Sequence, residues 1–162
     1  MADGGASSMI MLITALFISA TASSVLISAW SDSLRVVQTN GRSEMVADQI
    51  DAEIVGDLAM VAYDTTTDTM TIYVSNTGEY TLSTTDFEAY VDGTVVSTTS
   101  TSVLPSGTDW DPGTLLELEL TDTAWTYTDG TDVMINFIGV SEMIQGRTHG
   151  FTLNAEVRLN VV

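Results

Sequence analysis

The hydrophobic and polar positions follow two different patterns along the chain. From Gly4 to Ser31 no residue is charged, and the segment Met9–Trp30 is predominantly apolar. Beyond residue 48 the period changes to two, with apolar and polar residues alternating in short segments. A long uncharged run is typical of a transmembrane helix, and a period of two is typical of half-buried β-strands. The pattern therefore predicts one N-terminal helix followed by an all-β domain.

The N-terminal run has the length of a membrane span. As a helix, the segment Met9–Trp30 would extend roughly 33 Å, and Trp30 would lie at the membrane interface as an anchor. The alternative is a cleaved signal peptide, because Ala20-Thr21-Ala22 resembles a small-residue cleavage site. No Lys or Arg precedes the run, however, and the apolar stretch continues through Val25, Leu26 and Ile27. These features favour a retained transmembrane helix over residues 1–31.

Small residues recur every four positions within the predicted helix. The two rows are Ala15, Ser19 and Ser23, and Ala20, Ser24 and Ser28. Small residues at this spacing allow a second helix to approach closely in lipid, so the rows predict helix–helix packing. The alternative is that Ala and Ser are merely tolerated at these positions.

The residues after the span carry the only signal of orientation. Arg35 and Arg42 follow the span and no basic residue precedes it, which by the positive-inside rule places the following domain in the cytoplasm. Residues 32–47 show no strong period, and Asn40-Gly41 is a typical turn dipeptide. This segment is therefore expected to hold the end of the helix and a stalk or linker.

Residues 48–162 contain seven to nine short alternating segments separated by turn signals. This count and spacing predict an antiparallel β-sandwich of immunoglobulin-like type. The simple segment "VVSTTSTSV" (95–103) is expected to be a mobile loop or an edge. Three turns are predicted. In the first, Asn76 is expected to hydrogen-bond to its own backbone and Gly78 to adopt a positive φ. The turn residues are Asn76 and Gly78, Asp92 and Gly93, and Pro112 and Gly113.

Composition restricts the possible partners. The chain has 22 acidic residues against four arginines, and it has no Lys and no Cys. Binding to nucleic acid requires clustered basic residues, so a nucleic-acid partner is not expected. Scattered acidic residues indicate a solvated surface that works in high salt, and hence a halophilic source. The absence of Cys excludes disulfides and thiolate chemistry.

No residues are nominated for catalysis, for a cofactor or for a metal. His149 is the single histidine, and its neighbours "RTHGF" contain no nucleophile elbow. Four acidic residues could in principle help to hold Ca²⁺, but their spacing is not that of an EF-hand and turn formation explains them better. These are Asp109, Asp111, Asp129 and Asp132. The chain is therefore expected not to be an enzyme.

Four segments in order carry a resemblance to a known family. They are "QIDAEIVGD" (49–57), "YDTTTDTMTIYVSNTGEYTL" (63–82), "FEAYVDG" (87–93) and "WDPGTLLELEL" (110–120). With the N-terminal helix, this series resembles the archaellum (archaeal flagellum) stator family FlaG, also called ArlG, more than its sister family FlaF or the archaeal pilins. In the FlaG family an acidic-isoleucine strand precedes a strand that ends in Asn-Thr-Gly.

The resemblance implies a structural part of a motor. Members of the family are anchored in the cytoplasmic membrane with the sandwich outside, where they associate with each other and with FlaF beneath the surface-layer protein. This topology is opposite to the one that Arg35 and Arg42 indicate. Pilins carry a short basic leader, which is not seen ahead of this span. A pilin-like filament subunit and a membrane-tethered envelope-binding module are the alternative functions.

Overall fold

The computed structural model describes residues 4–162, apart from the side chains of residues 98 and 99. The described chain forms two compact units, one ending at Met45 and one comprising Val46–Val162. The first consists of a single helix and the second is almost entirely β-structure. The predicted fold class, one long apolar helix followed by a β-sandwich, is confirmed.

Helix α1 comprises Gly4–Ala47, 44 residues without interruption. It continues through residues 32–47, so the turn predicted at Asn40-Gly41 is wrong. No Pro lies in this segment, and a single Gly inside a helix costs only about 1 kcal/mol relative to Ala, so neither residue is sufficient to end the helix. At 1.5 Å per residue α1 is roughly 66 Å long, about twice the thickness of a bilayer's hydrocarbon layer.

Eight β-strands follow the helix. Their bounds are β1 Ala52–Val55, β2 Val61–Asp64, β3 Thr69–Asn76, β4 Leu82–Val91, β5 Thr94–Leu104, β6 Leu115–Thr121, β7 Asp132–Ser141 and β8 Gly150–Val161. The number lies within the predicted range of seven to nine. The segment 95–103 belongs to β5 and pairs with β4 and β6, so the expected mobile loop or edge is instead an integral strand. Its Val and Thr residues are good strand formers.

The strands form two sheets that are joined at corners. The first sheet contains β1 and β2 on one side of β3, with β6 and most of β5 on the other. The second contains β8, β7, β4 and the start of β5. β5 therefore passes from one sheet to the other, and β8 does the same by pairing with β2 at its end. The β2–β8 pair is parallel and all other pairs are antiparallel.

The core lies between the two sheets. It contains the apolar residues that the alternation of apolar and polar positions predicts to point inward. In β6 these are Leu116, Leu118 and Leu120, each fully buried. Trp110 is also fully buried and meets the rings of Phe137 and Phe151 edge-on, at centroid distances of 6.3 and 6.1 Å. Burying side chains of this size contributes about 1.5–3 kcal/mol each, which makes this core the main source of stability of the β-domain.

Candidate functional site: the exposed helix and the corner of the β-domain

The apolar side chains of α1 are exposed from Met9 to Met45, and Val46 in its last turn is buried. Phe17, Val25 and Trp30 have 73%, 68% and 70% of their surface accessible, and none of the most apolar 18-residue window is buried by the described chain. The helix is long and apolar enough to cross a membrane by length and composition. Because soluble proteins rarely leave large contiguous apolar surfaces in water, this surface requires lipid or protein around it.

The two threonine hydroxyls in the apolar half of α1 bond within the helix. Thr14 donates to the carbonyl of Ile10 at 2.8 Å, and Thr21 donates to the carbonyl of Phe17 at 3.0 Å. Satisfied hydroxyls lower the cost of placing these residues in an apolar environment. The six small residues of the predicted packing rows are all exposed on the helix surface. Their packing against another helix stays a prediction.

An apolar stripe continues beyond the predicted span. Leu34, Val37 and Met45 are three and eight residues apart in sequence, a spacing that places them on one face of the helix. Their side chains are 46%, 67% and 68% exposed. Arg35 and Arg42 are seven residues apart, so they share a neighbouring face. This stripe was not predicted, because residues 32–47 show no strong period and were interpreted as the end of the helix and a stalk or linker. The stripe extends the surface that needs a partner into the polar half of the helix.

In the β-domain, Asn76 organises the corner after β3. It is fully buried, and its amide nitrogen donates to the carbonyls of Tyr80 and Trp110, both at 2.9 Å. Its side-chain oxygen accepts a hydrogen bond from the backbone N–H of Gly78 at 3.1 Å. One side chain thus satisfies three backbone groups at a buried chain reversal. Asn76 therefore has a structural role at this corner.

Gly78 is required at this corner for a reason different from the one expected. Its φ is not positive, so conformational freedom does not explain it. A Cβ at this position would lie 2.7 Å from the backbone nitrogen of Asp51 and 2.7 Å from the carbonyl oxygen of Gln49. The backbone of the segment before β1 passes against Gly78 and bonds to it through the Asp51 carbonyl at 3.0 Å. Only a residue without a side chain permits this approach.

The two other predicted turns have regular geometry. Asp92 and Gly93 connect β4 to β5 with φ values of 50° and 79°, which is the two-residue hairpin turn that matches strand twist. Pro112 and Gly113 precede β6, with Gly113 at φ 80° and its N–H donated to the Asn76 carbonyl at 2.8 Å. This second turn is therefore tied to the Asn76 corner.

Asp92 also links its hairpin to the adjacent start of β7. One carboxylate oxygen accepts the backbone N–H of Met134 at 2.9 Å, and the other accepts the hydroxyl of Tyr127 at 2.9 Å. Burial and then the hydrogen bond to Asp92 raise the pKa of Tyr127 to about 12. The neutral phenol is therefore the form that stabilises this link.

Three of the four acidic residues considered for Ca²⁺ have separate structural partners. Asp111 accepts the hydroxyl of Thr81 at 2.7 Å, Asp129 accepts the backbone N–H of Val161 at 3.1 Å, and Asp132 forms a two-bond ion pair with Arg158 at 2.8 Å. Across residues 4–162, the structure brings no three potential metal ligands of the His, Cys, Asp and Glu types together. His149 lies in the turn before β8, where its backbone pairs with Ser141.

Comparison with known proteins adds a likeness of fold. No protein-family profile matches the chain, and no curated protein matches it. A chain from the solved structure "The archaeal flagellum of Methanospirillum hungatei strain JF1" is similar with a TM-score of 0.59 and 18% sequence identity, over 92% of each chain. Coverage this high includes both α1 and the β-domain. The chain therefore shares its fold, an N-terminal helix followed by a β-domain, with a chain of an archaeal flagellum.

Proposed function

We propose that the chain is a membrane-anchored, non-enzymatic structural subunit of an archaellum. The observation that carries this proposal is the long exposed apolar helix followed in one chain by a small β-domain, an arrangement shared with the archaeal flagellum structure over 92% of both chains. A helix of this kind holds a subunit in a membrane or a bundle, and a rigid β-domain presents surfaces to neighbours. Both features suit a part that transmits force.

Within the archaellum we assign the chain to the stator of the FlaG type. The support is the ordered series of segments around the buried corner, with Asn76 and Gly78 ending the third strand and Pro112-Gly113 bonded to the same corner. On this proposal the β-domain lies outside the cytoplasmic membrane. There it contacts FlaF, other copies of itself and the surface-layer protein, and braces the rotating machinery against the envelope.

A filament subunit is the second candidate, and one observation favours it. The apolar stripe of Leu34, Val37 and Met45 continues past the length that one bilayer covers, and it is exposed. A bundle of helices from neighbouring subunits would cover this stripe, whereas an isolated anchor would leave it in water. A stator that packs helix against helix just outside the membrane would cover it as well.

Fractionation of archaella separates the two candidates. Sheared and purified filaments and washed membranes from the same cells are compared by quantitative mass spectrometry. A stator subunit stays with the membranes and is absent from filaments beyond trace amounts, while a filament subunit is a major filament protein. Finding the chain in neither fraction, but free in the medium or the cytoplasm, contradicts both assignments and the membrane anchor itself.

A further inference from the structure

β8 has one edge with which no strand pairs over most of its length, although β1 comes close to part of the strand. β7 pairs with β8 from Gly150 to Arg158, and on the other side β2 pairs with it only at Leu159–Val161. Among residues 4–162 no strand pairs with this outer edge between Gly150 and Val157. An unpaired edge of this length is a template for another strand.

The direction of the backbone groups follows from the bonds at both ends of the strand. The carbonyl of His149 and the N–H of Leu159 bond to the β7 side, at 2.8 and 2.9 Å. The N–H of Arg158 points away from β7 and donates to the carbonyl of Leu58 at 2.7 Å. Because the register of β7 and β8 has no bulge, the even-numbered residues of β8 present their N–H and C=O groups to the open edge.

The inner face of β8 is incompletely covered along the same stretch. Phe151, Leu153 and Ala155 point towards the core but remain half-buried, whereas Val133, Ile135 and Phe137 of the adjacent β7 are at most 1% exposed. The space between the two sheets is therefore incompletely closed along this edge. An added strand would satisfy the unpaired backbone groups and cover apolar surface in the same step.

The corresponding open stretch of β4 is blocked. β4 shifts register between Leu82 and Phe87, and the hydroxyl of Ser83 accepts the backbone N–H groups of Thr85 and Asp86 at 3.4 and 3.2 Å. A bulged segment whose donors are already used is a poor template for pairing. β8 has neither a bulge nor such internal bonds, and it contains no Pro or Lys.

The charges at the two ends of β8 favour a second copy of the chain as the occupant. Residues 46–162 contain two basic residues, and both lie at β8: Arg147 just before it and Arg158 near its end. Arg158 is paired with Asp132, which leaves Arg147 as the positive group at the start of the strand, while Glu156 is exposed near its end. Antiparallel pairing of two copies places the positive end of each strand towards the acidic end of the other.

We propose that β8 pairs antiparallel with β8 of a second copy across a two-fold axis, which joins the two second sheets into one continuous sheet. The unpaired backbone groups, the half-buried inner residues and the opposite charges at the two ends all favour this interface. The proposal is independent of the archaellum role, because it is tested on the purified protein without an assay of swimming.

Cross-linking tests the interface directly, because the chain has no Cys. Asn154→Cys places a thiol at the middle of the open edge, and Asn136→Cys is the control, since Asn136 is the direct partner of Asn154 on β7. In each copy Asn136 lies one strand further from the two-fold axis than Asn154. The two thiols of Asn136→Cys would therefore be about 10 Å further apart than those of Asn154→Cys. In full-length protein in detergent, a short bismaleimide is expected to cross-link Asn154→Cys at least tenfold more efficiently than Asn136→Cys.

A proline substitution then tests the backbone pairing. The N–H of Asn154 points to the open edge, so Asn154→Pro leaves the β7–β8 hydrogen bonds intact and blocks the new strand. With Thr152→Cys as the reporter, Asn154→Pro is expected to abolish the cross-link with little change in the thermal midpoint. Ala155→Pro, whose N–H faces β7, is expected to unfold the domain.

A second substitution keeps the proposal testable if the proline variant does not fold. Asn154→Asp brings two carboxylates together near the axis, and it is expected to weaken the Thr152→Cys cross-link at low salt and to restore it at high salt. Cross-linking of Asn154→Cys no greater than that of Asn136→Cys overturns the proposal. Cross-linking at residue 152 that is unchanged by both Asn154→Pro and Asn154→Asp overturns it as well.

Discussion

Asn76 and Gly78 stabilise the same corner through two different properties, hydrogen bonding and the absence of a side chain. Asn76 supplies two donors to buried carbonyls and one acceptor to a backbone N–H. Gly78 lets the backbone of Gln49–Asp51 pass at a distance that a Cβ would prevent. Substitutions at the two positions are therefore expected to destabilise the β-domain for two different reasons, which can be tested separately.

Asn76→Ala is expected to reduce the free energy of unfolding of the β-domain by roughly 2–4 kcal/mol, because it leaves the carbonyls of Tyr80 and Trp110 buried without their donor. Tryptophan fluorescence during urea unfolding measures the change. Ser102→Ala, at an exposed serine on β5 outside the proposed β8 interface, is the control and is expected to change the free energy by less than about 0.5 kcal/mol. Equal effects of the two substitutions would contradict the role given to Asn76.

Gly78→Ala is expected to destabilise the β-domain by about 1–3 kcal/mol or more, since the new methyl group would lie 2.7 Å from two backbone atoms. Gly107→Ala is the control, because the nearest atom to its Cβ is a Val103 methyl at 3.6 Å, an ordinary contact. Thermal unfolding followed by circular dichroism compares the two variants. Gly78→Ala with the stability of the original protein would show that the close approach is absent.

Tyr127 connects stability to alkaline pH. Its pKa in the folded protein is about 12 against 10 in a model phenol, so the folded state holds the proton more tightly than the unfolded state. The resulting stabilisation is complete below pH 10 and is lost as the pH rises to about 12. Tyr127→Phe is expected to make the decline in stability between pH 10 and 12 less steep, measured by urea unfolding at a series of pH values. An unchanged slope would contradict the assignment.

At the scale of the elements, the strands could be predicted from sequence because their alternation reflects burial directly. Leu116, Leu118 and Leu120 alternate with polar residues and are fully buried. The open edge of β8 could not be predicted, because alternation identifies the inner face and contains no information about which strand lies alongside. Phe151, Leu153 and Ala155 have the same inward pattern as the β6 leucines but are only half-buried.

The end of α1 was mispredicted for a related reason. Asn40-Gly41 is a typical turn dipeptide, yet local propensity is weak and the residues around it continue the helix to Ala47. Similarly, Gly78 was recognised as a special position, but the passing backbone that requires it is distant in sequence before the chain folds. Tertiary contacts of this kind leave no local signal.

Gly41→Ala tests whether the helix is continuous at that point. A Cβ at Gly41 meets no atom within 4 Å, so in a helix the substitution is expected to stabilise the segment by about 0.5–1 kcal/mol. Hydrogen exchange of residues 38–45 in full-length protein should then slow several-fold. If Gly41 formed a turn with positive φ, the same substitution would be destabilising and exchange would accelerate.

At the scale of the whole molecule, we expect charge to control assembly. Residues 46–162 carry 19 acidic residues and two arginines, a net charge of −17, and such surfaces repel each other at low salt. Screening reduces the range of this repulsion from about 10 Å at 0.1 M salt to about 3 Å at 1 M. Self-association of the purified protein is therefore expected to increase steeply from low to multimolar salt, measured by analytical ultracentrifugation in detergent. A constant sedimentation coefficient across that range would contradict this expectation.

Deletion of the gene, with complementation, tests the central claim that the chain is a structural part of a swimming motor. If the chain is a motor part, the deleted strain is expected to lose swimming and the original gene to restore it. Asn154→Cys should restore it too, whereas a version that lacks residues 4–31 should not. Swimming is tracked by light microscopy and filaments are counted by electron microscopy. Normal swimming and normal filaments in the deleted strain would contradict the account.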